Sequence, residues 1–147
     1  MTIEVSENIK SPKQDVWKTI VDIENAEKSI PAILKVEVLE RPTNGLVGLK
    51  WRETRKMFGK EATETMWITC AEENHWYETQ AFSSGCEYNT RITVEETSDG
   101  TKLSMRLETI PKTLIARLMS PLGFLFSGAI KKNLQQDLSE IKQSLEN

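Results

Sequence analysis

Hydrophobic residues recur along this chain with two different periods, and each change of period marks a new structural element. Apolar and polar residues alternate from Ile3 to Ile9, which is typical of a half-buried strand. Apolar residues then take helical spacing from Val16 to Ile23, after Ser11 and Pro12, a favourable pair at the start of a helix. A shorter helix is predicted over residues 26–29. The beginning of the chain therefore predicts one strand followed by two short helices.

From residue 32 to residue 110 the period is two, which predicts a run of antiparallel strands. Short segments of turn-forming residues interrupt the alternation. The predicted strands are 34–38, 47–57, 60–72, 75–83, 86–97 and 101–110, and the turns between the last five are Phe58-Gly59, Glu73-Asn74, Ser84-Gly85 and Asp99-Gly100. With the first strand, this predicts an α+β fold with a seven-stranded antiparallel sheet.

Two-residue turns would fix the register of each hairpin, because the residue numbers of opposed partners then have a constant sum. The resulting pairs are Trp51 with Met66, Glu53 with Glu64, Cys70 with Tyr77, Tyr88 with Ala81, Thr79 with Thr90, and Val94 with Met105. Opposed residues lie on the same side of a sheet. One face then collects the apolar residues Leu49, Trp51, Met57, Met66, Ile68, Tyr77, Tyr88, Ile92, Val94, Met105 and Leu107. The sequence therefore predicts one buried face and one solvated face.

The last segment, residues 112–146, returns to helical spacing with an apolar stripe of Leu134, Leu138, Ile141 and Leu145. Ser120-Pro121 predicts a kink or a new helix start within it. Residues 114–130, here called the apolar segment, have few polar positions on any side of the helix. This pattern has two interpretations. In the first, the segment is a lid over a hydrophobic cavity, and it contacts either a membrane, transiently and through residues 114–126, or a protein partner. In the second, it is a helix buried between other elements.

Length, charge and cysteine content limit the class of protein. A chain of 147 residues with 38% hydrophobic residues predicts one globular domain, residues 1–147. A net charge of −3 gives no electrostatic basis for a nucleic-acid partner. With two Cys and one His, the sequence indicates neither a disulfide scaffold nor a metal site, and it contains no cofactor motif. Isolated cysteines and the lack of a secretory signal predict a cytoplasmic protein.

Polar residues on the apolar face are the candidates for chemistry. Glu53 and Glu64 are expected opposite each other there, with Arg55 two positions from Glu53. Because a buried charge is costly unless paired, we expect Arg55 to bridge one or both carboxylates. The group is either the polar end of a ligand pocket or a structural ion pair where the strands reach solvent. A second polar strip, which either orients a ligand or consists of ordinary core and strand residues, is formed by Tyr77, Tyr88, Thr79, Thr90 and Thr109.

The element order resembles the helix-grip fold of the START-like (SRPBCC) superfamily, the polyketide cyclase/dehydrase and lipid-transport group. The matching motifs are Ser11-Pro12 through Trp17, Asp22, Pro31 before Val36-Glu37-Val38, Gly48 to Arg55 with Gly59-Lys60-Glu61, and Asp99 to Leu103. The resemblance implies a curved sheet wrapped around a long C-terminal helix, with a ligand cavity between them. It implies no catalytic residues, because the superfamily has no catalytic set common to its members.

The expected function is therefore binding, or transport, of a hydrophobic small molecule such as a lipid, polyketide, quinone or isoprenoid, without a cofactor. The expected ligand-binding residues are Trp51, Glu53, Arg55, Glu64, Met66, Tyr77, Tyr88 and Thr90 from the sheet, and Met119, Leu122 and Phe126 from the helix. One alternative is a cyclase or dehydratase that uses a cavity carboxylate, Glu53 or Glu64, as general acid or base. Another is a protein-interaction module that docks through the apolar segment.

Overall fold

The computed structural model describes residues 1–147, with the exception of the Phe124 side chain. The elements are β1 (Thr2–Ile9), α1 (Lys13–Ile20), a 3-10 helix (Ile23–Lys28), β2 (Ile33–Glu40), β3 (Lys50–Met57), β4 (Lys60–Glu72), β5 (Trp76–Ser83), β6 (Cys86–Glu96), β7 (Thr101–Pro111) and α2 (Leu114–Glu146). The predicted order of one strand, two short helices, six strands and a long helix is confirmed. The seven strands form one antiparallel sheet in the order β1-β7-β6-β5-β4-β3-β2.

The register of two hairpins follows from their two-residue turns, as predicted. Across β3 and β4, Trp51 lies opposite Met66 and Glu53 lies opposite Glu64. The turn residues Phe58 and Gly59 have φ angles of 53° and 78°. Two successive positive φ angles give a turn whose twist matches that of the strands, which holds the register. The β5–β6 hairpin behaves in the same way, so the side chains expected on one face of these four strands do share it.

The β4–β5 hairpin differs from the prediction because its turn has three residues, 73–75. Glu72 therefore pairs with Trp76, one position away from the predicted partner. A β-bulge between Ile68 and Cys70 absorbs the extra residue. From Ile68 back towards the start of β4, the residues again have their predicted partners. The bulge thus keeps the apolar residues of β4 on the face that the sequence predicted.

The predicted pairing of Cys70 with Tyr77 is wrong for this reason. Ala71 lies opposite Tyr77, while Cys70 pairs with Glu78 on the convex face. There the Cys70 thiol donates a hydrogen bond to Glu78 Oε2 at 3.0 Å.

The predicted pairing of β6 with β7 is displaced by two residues. Their loop has four residues, 97–100, so Val94 lies opposite Leu103 and not Met105. Because side chains alternate with a period of two, a displacement of two leaves every residue on its predicted face.

The concave face of the sheet is covered unevenly. Tyr77 in β5 packs edge-on against Trp17 of α1, with the ring centroids 6.0 Å apart. At the β1 edge, Gln135 and Lys142 of α2 donate hydrogen bonds to the β1 carbonyls of Ser6 and Asn8. The most deeply buried side chains of the core are Ile9, Val16, Ile68, Val94, Thr101, Leu103 and Leu138. The interior is therefore packed under α1 and under the C-terminal half of α2.

The long helix is bent, and its two halves have different environments. The axes of Leu114–Gly123 and Leu125–Glu146 differ by 76°. The bend lies a few residues after the predicted position, Ser120-Pro121. At that position the Ser120 hydroxyl donates to the Arg117 carbonyl at 2.9 Å, in place of the backbone N–H that Pro121 lacks. Among the described residues, no single helix has the length and apolar character of a membrane span; this bent pair taken together has them.

Candidate functional site

A buried ion-pair bridge crosses from the sheet to the helix. Arg55 Nε donates to Glu53 Oε2 at 3.1 Å, and Arg55 Nη1 donates to Asp137 Oδ2 of α2 at 3.0 Å. The side chains of Arg55, Glu53 and Asp137 are only 18%, 14% and 9% exposed. Burial opposes the charge on Arg55, but the two carboxylates outweigh it and raise the pKa of the guanidinium. This bridge fixes the charged end of the concave face to the C-terminal half of α2.

The first of these contacts was predictable from the sequence, and the second was missed. Arg55 was expected to bridge one or both of Glu53 and Glu64; it pairs with Glu53, and its second carboxylate is that of Asp137. The signal for Asp137 is its position, because it lies three residues after Leu134 and four before Ile141, on the apolar stripe of the helix. Burial raises the pKa of Asp137, and Arg55 opposes this shift.

Glu64 occupies the site without a partner. It lies opposite Glu53, is partly buried, and among the described residues it makes neither a hydrogen bond nor an ion pair. Burial raises the pKa of Glu64, the negative charge of Glu53 raises it further, and Arg55 only partly compensates. The concave face therefore carries one partly buried carboxylate that has no hydrogen-bond or ion-pair partner among the described residues.

A Glu64→Gln variant should make this arrangement visible as a pH-dependent gain in stability. The folded-state pKa of Glu64 is raised, so the stability that this group contributes is complete below the ordinary glutamate pKa of 4.5 and is lost as the pH rises through the folded-state value. Glutamine carries no charge, so the variant should be more stable than the wild type at pH 7 and equally stable at low pH. Urea unfolding across this range measures the difference. A variant that is less stable at pH 7 would contradict the assignment.

Two aromatic residues of the predicted set are deeply buried, at 3% exposure each. The Tyr77 hydroxyl donates a hydrogen bond to the Ile20 carbonyl at the end of α1, at 3.1 Å, so it contributes to the packing of α1 on the sheet. The Trp51 indole N–H, in contrast, is buried and has no acceptor among the described residues. A buried donor without a partner costs about 1–3 kcal/mol. An acceptor supplied to Trp51 would recover that free energy.

The remaining sheet residues of the predicted set are only partly buried. Met66 and Tyr88 continue the row that begins at Trp51, since both lie opposite Ala81 in adjacent hairpins. Thr90 is in the neighbouring row, opposite Thr79. Burial raises the pKa of Tyr88, and the proximity of Cys86 and Glu64 raises it further. Tyr88 and Glu64 are thus close enough to interact electrostatically on a face that the protein leaves partly open.

The three helix residues of the predicted set do not close over these positions. Met119, Leu122 and Phe126 are 53%, 47% and 61% exposed. They lie on both sides of the bend in α2, and in this conformation they face solvent. Among the described residues, these three side chains therefore do not enclose the sheet positions, and all eleven residues stay a prediction as a ligand-binding set.

Two open clefts lie at the margins of this region. One, of about 170 Å³, is lined in part by Arg55, Asp137 and Glu140, next to the ion-pair bridge. The other, of about 310 Å³, lies between the start of β1 and residues 127–131. Within the described part of the chain, His, Cys, Asp and Glu side chains form no group that could hold a metal ion.

A seven-stranded antiparallel sheet around a long terminal helix, with polar groups on its concave face, defines the helix-grip class of proteins. The family described as polyketide cyclase / dehydrase and lipid transport matches residues 1–146. The chain belongs to this family, and its fold is that of the START-like superfamily.

Solved structures show the same fold at low sequence identity. TTHA0849 from Thermus thermophilus has a TM-score of 0.80 at 16% identity, over 99% of this chain and 97% of that one. The Zhui aromatase/cyclase from Streptomyces sp. R1128 has a TM-score of 0.80 at 15% identity, over 99% and 93%. Ara h 8.0201 has a TM-score of 0.76 at 22% identity, over 99% and 97%. No curated protein sequence matches this chain.

Proposed function

We propose that residues 1–147 form a single domain that binds a hydrophobic small molecule bearing a hydrogen-bond acceptor, between the concave face and the apolar segment. The observation that carries this proposal is the buried indole N–H of Trp51, which has no acceptor among the described residues. Trp51 lies opposite Met66 on the adjacent strand, and the next pair on the same face is Glu53 with the unpaired Glu64. The wall is thus apolar with a few unsatisfied polar atoms, as in small-molecule sites generally.

The chemistry of the wall limits the ligand. Met66 and Tyr88 provide apolar surface, and burial of such surface contributes roughly 25 cal/mol per Å². Trp51 offers a donor, which suits a carbonyl or ether oxygen of the ligand. Glu64, with its raised pKa, suits a ligand hydroxyl or amine. A lipid, polyketide, quinone or isoprenoid with one oxygenated end fits these requirements.

Trp51→Phe is the sharpest test, because it removes the N–H and keeps an aromatic ring. The matched control is Trp76→Phe on the convex face, where the indole N–H already donates to Glu72 at 3.0 Å. With an apolar fluorescent ketone such as prodan as probe, we expect Trp51→Phe to weaken binding about five- to tenfold, as for the loss of one hydrogen bond. The control should bind like the wild type.

Phe126→Ala tests the contribution of the helix in the same titration. Phe126 is 61% exposed, so its removal should leave the fold intact and lower the affinity for the probe. Unchanged affinity in both folded variants, Trp51→Phe and Phe126→Ala, would contradict binding at this face. If both variants bind the probe more weakly, native mass spectrometry of the protein purified from its own host would identify the natural ligand.

A second candidate function is general acid catalysis by Glu64, in a cyclase or dehydratase reaction. The raised pKa of its carboxyl group, caused first by burial, favours it. Three of the similar structures are described as aromatase/cyclases, which for this chain supports the fold only. Glu64→Gln should then abolish turnover while the probe still binds.

We also propose that the protein works in a reducing cytoplasm, and the free thiols of Cys70 and Cys86 support this.

A further inference from the structure

The first part of the apolar segment, residues 114–126, carries a group of apolar side chains that no other described part of the chain covers. Seven large apolar side chains are between 47% and 77% exposed there: Leu114, Ile115, Leu118, Met119, Leu122, Leu125 and Phe126. Single exposed apolar residues are ordinary on a protein surface, but a contiguous group marks an interaction site.

The arrangement of these residues on the helix is one-sided. At 100° per residue, the five apolar residues that precede Gly123 occupy a continuous arc of about 140°. Ala116 lies outside this arc and is 8% exposed, against Gly85 at the β5–β6 turn. The helix therefore uses its small residue to contact the protein and directs its apolar arc away from it.

The charge pattern around the arc identifies the occupant. From residue 109 to residue 136 the chain has four basic residues, Lys112, Arg117, Lys131 and Lys132, and no acidic one. Since the whole chain has 19 basic and 22 acidic residues, its remainder has a net charge of −7. Lys112 lies 3.9 Å from Glu87, whereas Arg117, Lys131 and Lys132 are exposed and make no ion pair within the described part of the chain. A basic, apolar helix on an acidic protein is complementary to an anionic lipid surface.

We propose that residues 114–126 dock on an anionic phospholipid bilayer, with the apolar arc in the interfacial region and Arg117, Lys131 and Lys132 among the headgroups. Amphipathic helices bind in this way through buried apolar area and attraction to anionic lipids. Each Lys or Arg near such a surface contributes about 1 kcal/mol, which is a factor of about five in partitioning. The inference does not depend on the ligand-binding proposal, because these side chains are exposed in the structure as it stands.

Flotation with phosphatidylcholine vesicles, with and without 30% phosphatidylglycerol (roughly the anionic content that produces a strong surface potential), tests the proposal on the complete chain. We expect the protein to float with the anionic vesicles and to remain largely unbound with the neutral ones. Replacing Arg117, Lys131 and Lys132 together by Gln should lower binding on the order of a hundredfold. The matched control replaces Lys18, Lys28 and Lys102, three exposed lysines elsewhere, and should bind like the wild type.

Leu118→Ser tests the apolar arc separately, because Leu118 is 71% exposed and its replacement leaves the core intact. It should lower vesicle binding about tenfold without changing the thermal midpoint. Absence of wild-type binding to anionic vesicles, or an equal loss in the lysine control, would overturn the proposal. So would concentration-dependent self-association that Leu118→Asp relieves, since a second copy would then cover the surface. Prodan titration without vesicles reports separately on the ligand site.

Discussion

Replacing Arg55 by Met should lower the free energy of unfolding by about 3–5 kcal/mol, because it leaves Glu53 and Asp137 buried without a counter-charge. Breaking one partner of a buried ion pair is far more costly than the pair itself is stabilising. Burial already raises the pKa of Asp137 in the presence of Arg55, and removal of the guanidinium should raise it further. The ionised carboxyl group is then the destabilised form.

The sign of the pH dependence follows from that pKa. A raised folded-state pKa means that stability is lost as the pH rises through it, so the deficit of Arg55→Met should be largest at neutral pH and should shrink on acidification. Urea unfolding at several pH values measures this. The matched control is Arg52→Met, three residues earlier on the same strand, where the side chain is 48% exposed and paired with Glu37 at 3.3 Å; its loss should not exceed about 1 kcal/mol. Equal losses in the two variants would refute the buried bridge.

Leu138→Ala should be the second most destabilising change, at about 2–5 kcal/mol, because Leu138 is 0% exposed and is one of the α2 residues buried in the core. Leu118→Ala, in the same helix before the bend, should change stability by less than about 0.5 kcal/mol. Urea midpoints of the two variants compare them directly. A large loss for Leu118→Ala would mean that residues 114–126 pack against the protein in solution, as in the second interpretation of the sequence pattern.

The contrast between these two leucines shows what sequence periodicity could predict. The stripe that includes Leu134 and Leu138 predicted a helix packed on the sheet, and Leu138 is indeed buried. Leu118 and Leu122 are equally apolar, but periodicity reports the hydrophobicity of a residue and not the position of the element that carries it. The bend that turns them to solvent lies close to the kink predicted at Ser120-Pro121, but its direction depends on the placement of the helix after Gly123, which no local pattern encodes.

The register of the sheet was predictable where a hairpin turn has a strongly preferred length. Phe58-Gly59 adopts the expected two-residue turn, so the opposition of Glu53 and Glu64 followed from counting alone. Glu73-Asn74 did not, because a third residue joins the turn and a bulge before Cys70 restores the register. Bulges depend on the fit of a strand against both neighbours, and single-strand alternation contains no signal for them.

The site was predictable to the extent that its residues lie in the sheet. Glu53 and Arg55 were expected to pair, and they do. Asp137 was missed although its charge interrupts an apolar stripe, because the contact joins residues 82 positions apart and needs the helix to be placed first. The functional role of the predicted set stays a prediction.

The attachments of α2 set limits on how its middle can move. At its start, Thr113 caps the helix through Ala116 N at 3.1 Å and packs so tightly on Gly85 that a Cβ there would lie 2.6 Å from the threonine hydroxyl. Further along the helix, Asp137 bonds to Arg55 of the sheet and Leu138 is buried in the core. The helix is thus attached to the rest of the protein on both sides of its bend. Any movement of residues 117–130 relative to the sheet is therefore limited to a change of the bend between these two attachments.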